Sequence, residues 1–155
     1  MPSSSTSSRT PQLPLNPIAV RLGHLGLLPF ALGALLVWLI GASNPEVYAF
    51  VTQGFSAYAG LVISFLGGIH WGLGFRQTIP SPQPFVWGVV PSIVAWIGVM
   101  MPAHAGLVVH GVMLVVCYLV DRRTYPALGA SAWLNLRFRL SVGAAFCCFL
   151  GAAGS

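Results

Sequence analysis

The run from Ser56 to Gly74, SAYAGLVISFLGGIHWGLG, carries no formal charge and constrains this chain more than any other stretch. It is about as long as a helix must be to cross a bilayer's hydrocarbon core, for which roughly 20 apolar residues are needed. At about 100° per residue, we assign Ser56, Gly60, Ser64, Gly67, Gly68 and Gly72 to one side of that helix. Val62, Phe65, Leu66, Ile69 and Leu73 are assigned to the other. The expectation is a helix with its bulky side chains in lipid and its small-residue face against neighbours. Small residues four apart let backbones approach, which matters in lipid because no hydrophobic drive pushes helices together there. Trp71 is expected near the middle of the small face and His70 toward its edge, making them the leading candidate site.

The rest of the chain fits the same solvent. Hydrophobic residues make up 56% and charged residues 6%, so two acids and seven arginines would have to cover a soluble surface. They cannot, and a polytopic membrane protein follows. The net charge of +5 would suggest nucleic acid in a soluble chain. Here the arginines flank apolar runs, as topology signals beside anionic lipid do. Membrane lipids are therefore the expected partners, and nucleic acid is not. Cys117, Cys147 and Cys148 lie inside apolar runs without C-x-x-C spacing, so they read as small hydrophobes.

In chain order, residues 1–20 read as a disordered tail rich in Ser, Thr and Pro, and residues 21–155 as one transmembrane domain. Spans are expected at about 22–41, 52–74, 85–101, 105–120 and 138–154, with kinks at Pro29 and Pro91. Pro80, Pro82 and Pro84 mark a loop, and Trp133 an interfacial anchor from which Arg137 and Arg139 snorkel to headgroups. With five spans and the amino terminus cytoplasmic, every arginine falls inside and none outside. The predicted fold is an all-α integral membrane bundle of five transmembrane helices with its carboxyl terminus outside.

That topology puts His24, His70, Trp71, Tyr118 and Asp121 toward the inner leaflet, where an ionisable residue in a span is a candidate site. The leading reading is structural: His70 makes one interhelical hydrogen bond, to Asp121 or Ser64, worth about 1 kcal/mol or less. The sharper readings have His24 and His70 ligating haem or another metal, or the site holding a quinone or relaying protons. Asp121-Arg122-Arg123 reads first as a helix stop. As the one acid on the inner side, Asp121 can also neutralise an arginine or fix the His70 tautomer. His104 and His110 belong to the outer side, with an interfacial role. No nucleophile elbow, phosphate-binding loop or H-E-x-x-H is present.

Ser64-Phe65-Leu66-Gly67-Gly68-Ile69-His70-Trp71-Gly72 resembles the signature of the family filed as domain of unknown function 3429, the transmembrane protein 69-like small inner-membrane proteins. Supporting matches are Gly26-Leu27-Leu28-Pro29-Phe30, Pro91-Ser92 with Ala95-Trp96, and Asp121-Arg122-Arg123. The resemblance covers roughly residues 22 to 150 and implies a compact multi-span protein with its site on His70 and Trp71. It implies a bacterial inner membrane, or alternatively a mitochondrial one, and no activity. Three functions are weighed. The first is a non-enzymatic accessory or assembly component that partners another inner-membrane protein or its own copies. The second binds haem, quinone or a lipid-like ligand at the His/Trp site. A small transporter is the least favoured.

Overall fold

The computed structural model describes residues 15–79 and 81–155, so the expected tail up to residue 14 lies outside the described residues. The chain forms α1 (Pro17–Leu25), α2 (Leu28–Ile40), α3 (Pro45–Gly74), α4 (Gln83–Met100), α5 (Ala103–Thr124) and α6 (Leu134–Ala153). Short 3₁₀ turns at Gly41–Ser43 and Ser131–Trp133 complete it, and there is no strand among the described residues. Counting α1 and α2 together, five helical stretches are long and apolar enough to cross a membrane. The fold is an all-α multi-span bundle. Helix begins at Pro17, inside the stretch expected to be tail, and α5 continues past residue 120 to Thr124.

Local chemistry sets the boundaries. Asn16 and Asn44 each cap a helix, accepting from the backbone N–H of Ile18 (2.9 Å) and Val47 (3.3 Å). Each is followed by a proline, whose missing N–H costs nothing at the first helical position. Pro29 does more than kink the first span. With no N–H, and with its ring pressing on the carbonyl four residues back, it ends α1 at Leu25 and restarts the helix at Leu28. Tyr58 of α3 donates to the Gly26 carbonyl in this break (3.0 Å), the kind of repair that makes a broken span tolerable in lipid. No α1 side chain is buried. α4, by contrast, continues as one helix through Pro91, which is buried.

The second span, α3, touches α2, α4, α5 and α6, which puts it at the centre. Its buried line is Thr52, Phe55, Ser56, Ala59, Gly60, Ile63, Leu66, Gly67, His70 and Gly74. This corrects the face drawn from sequence. Gly68 and Gly72 face open space, and Leu66, expected in lipid, is buried. The reason is angular. Steps of four residues advance about 40° around a helix at each step, so Gly72 lies about 160° from Ser56. Steps of seven drift only about 20°, and 56–63–70 and 60–67–74 are the rows that stay buried.

Two helix–helix contacts, one of α3 with α4 and one of α4 with α5, are backbone to backbone. A Cβ added to Gly67 would collide with the carbonyl oxygen of Gly88 on α4, and one on Gly106 of α5 with the carbonyl oxygen of Gly98. Because successive spans run in opposite directions, Arg21, Arg76, Arg122, Arg123, Arg137 and Arg139 all lie at one end of the bundle.

Candidate functional site

At the arginine-bearing end the bundle buries an ion pair. Asp121, on the last turn of α5, is 1% exposed, and Arg137, on the first turn of α6, is 8% exposed. Arg137 donates from Nε (2.8 Å) and Nη2 (2.5 Å) to the same carboxylate oxygen, Oδ2. The other oxygen, Oδ1, lies 3.4 Å from His70 Nε2. Arg137 therefore does not snorkel to headgroups, and Asp121 is more than a helix stop. A lone charge here would be costly, and each partner removes the other's penalty.

His70 is held from both edges. Nδ1 lies 3.4 Å from the Leu66 carbonyl and Nε2 3.4 Å from Thr124 Oγ1. The threonine hydroxyl is itself donated to the Val120 carbonyl (2.9 Å), so it turns lone pairs toward the ring. Tyr125 and Trp87 pack on the imidazole, at centroid distances of 5.8 and 6.4 Å. Tyr125 lies just beyond α5, in a turn closed by the Ala130 N–H on its carbonyl (2.9 Å), with Gly129 supplying a φ of +71°. Its phenol sits beside the Asp121–Arg137 pair. Burial first, and then the Asp121 charge, push it up to about 12, which leaves a protonated donor.

The remaining candidates do not join this cluster. His24 is exposed, its Nδ1 2.8 Å from the Val20 carbonyl of its own helix. The His24–His70 pair needed for haem or metal is not assembled, because α1 presents that ring outward. No group of three or more His, Cys, Asp or Glu residues is placed to hold a metal among the described residues. Trp71 is not on the buried face. It lies at the α3–α4 edge, covers Gly88 and donates to the Phe85 carbonyl (2.9 Å). Tyr118 stacks on Phe138 (5.3 Å) between α5 and α6. Ser64 is half-buried and makes no bond to His70.

His110, expected at the outer interface, is fully buried. Its Nε2 lies 3.1 Å from the Ala95 carbonyl and its Nδ1 3.4 Å from Ser56 Oγ, so one ring joins α3, α4 and α5. Gly98 leaves the room: a Cβ there would stand 2.5 Å from His110 Nε2. His104 is exposed.

The broken first span opens a cavity of about 600 Å³ between α1–α2, α3 and α6, walled almost entirely by hydrocarbon. Leu22, Gly26, Phe30, Val62 and Leu140 line its length, and Tyr125, Trp133 and Arg137 its arginine-side end. It lies in the usual size range of small-molecule sites. Sequence reasoning did not find this cavity or the roles of Arg137, Thr124 and Tyr125. One signal was available: Arg137, Ala144 and Gly151 form a row of sevens in α6, and all three are buried.

A family model described as "Protein of unknown function (DUF3429)" matches residues 15–153. The chain is also similar to Transmembrane protein 69 of Xenopus tropicalis, 33% identical over 137 residues, which is 83% of this chain and 51% of that protein. It thus spans about half the length of this curated relative. No solved structure matches the chain.

Proposed function

Since the chain belongs to the DUF3429 family of membrane proteins of unknown function, its activity must be read from its own geometry, and we propose that it binds an apolar, chain-like molecule drawn from the bilayer. The cavity beside the first span carries this reading. It is large, lined by hydrocarbon, and bounded at one end by polar groups that can orient a head. The haem and metal versions of the ligand reading lose their support with His24 turned outward. An accessory or assembly role stays an expectation of small size and of missing catalytic motifs, whereas the cavity supports the ligand-binding reading. On the same reading the arginine-rich end faces the cytoplasm of a bacterium, with a mitochondrial inner membrane as the alternative.

Native mass spectrometry from mild detergent tests it. The expected result is a bound lipophilic adduct on the wild-type chain that is absent from Gly23→Phe. That substitution fills the cavity from α1, the helix with no buried side chain. The new Cβ would meet the flexible ends of Leu140, at 3.0 Å, and Leu136, at 3.8 Å, so folding should survive. A ligand-free wild type, or an adduct that Gly23→Phe retains, would overturn the reading.

A further inference from the structure

The polar end of the cavity limits what the head of its occupant can be. Arg137 uses Nε and Nη2 on Asp121, and its Nη1 makes no hydrogen bond to a described residue. Tyr125 brings a phenol to the same end. One helical turn deeper, Ser141 lines the cavity, is 3% exposed, and has a hydroxyl with no partner among the described residues. The guanidinium and the Ser141 hydroxyl can donate, as can the Tyr125 phenol on turning from Asp121 and Arg137. The buried Asp121–Arg137 pair has no net charge to offer, because the carboxylate cancels the guanidinium, and the other arginines at this end are exposed. An anionic head would set a second negative charge beside Asp121 and compete for Arg137. A neutral acceptor meets neither penalty. Tyr125 and Trp133 at this end of the cavity suit a flat ring better than a branched headgroup.

We propose that the occupant is a quinone: a neutral ring whose carbonyl oxygens accept from Tyr125, Arg137 and Ser141, on a single apolar tail lying along Leu22, Val62 and Leu140. This rests on the cavity-binding reading above and adds the class of head. Binding alone is claimed, with no electron transfer.

Decylubiquinone, titrated into the full chain in lipid nanodiscs and followed by quenching of tryptophan fluorescence, tests the assignment, since Trp133 lines the cavity. Saturable binding is expected. Tyr125→Phe should weaken it about five- to tenfold and Ser141→Ala about threefold, the scale of single neutral hydrogen bonds. Dodecanoate at equal mole fraction should not compete. Ser141→Ala removes an unpartnered buried hydroxyl, so it should melt no lower than wild type and keeps the test sound if Tyr125→Phe folds poorly. Dodecanoate competing as well as the quinone, or affinity unchanged in Ser141→Ala, would overturn the quinone assignment while the co-purified adduct still upheld the cavity. Failure of decylubiquinone to bind, with the adduct present, would do the same. Loss of the adduct itself would remove both.

Discussion

Arg137→Ala should destabilise the folded bundle by about 3–5 kcal/mol, the cost of stripping one partner from a buried ion pair. The carboxylate of Asp121 is 1% exposed, and its Oδ2 takes both of its strong hydrogen bonds from this one side chain. Without the guanidinium it would face only His70 and the Tyr125 phenol, on a span end with little water. Thermal unfolding in detergent should show the loss directly. Arg137→Lys should fall between the two, because lysine keeps the charge but cannot present the fork that engages Oδ2 twice. The double variant Asp121→Asn/Arg137→Gln should recover most of the loss, since neither residue is then charged. An Arg137→Ala protein within about 1 kcal/mol of wild type would mean that the pair is not structural.

The second large effect reverses sign within one helix. Gly67→Ala should destabilise by about 2 kcal/mol, as overpacking does, because its methyl would meet the Gly88 carbonyl and push α3 from α4. Gly68→Ala and Gly72→Ala add the same methyl to the same helix. At those positions nothing lies within 4 Å, so each should be neutral or stabilising by up to about 1 kcal/mol, the helical preference for alanine over glycine. Equal effects at Gly67 and Gly68 would show that α3 is rotated from the orientation described above. Melting temperatures of the three single variants decide it.

That contrast also marks how far the sequence alone could be read. Five spans, their rough positions and the gathering of arginines at one end follow from run length and charge, which are properties of each segment by itself. Rotation about a helix axis is harder, because two rows of small residues cross on α3. The row four apart, 60–64–68–72, and the row seven apart, 60–67–74, share Gly60 and then diverge. Only the second stays on one face, and choosing it requires the neighbour. His70 and Asp121 were legible as a pair because a titratable group in a span must find a partner. Arg137 was not, since long side chains near a span end usually escape to headgroups. His110 looked interfacial from its place in the chain, yet Ser56, Ala95 and Gly98 build a chamber for it on two other helices. His24 stays apart from the His70 cluster because Pro29 splits the first span and leaves α1 with no buried side chain.

The Asp121–Arg137 contact has a consequence for how the protein is made. Each residue belongs to a different helix, joined by the short turn through Gly129, and each is tolerable in hydrocarbon only when the other is present. The last two helices should therefore leave the insertion machinery as a hairpin, and a nascent chain cut short between them should stall there or be degraded.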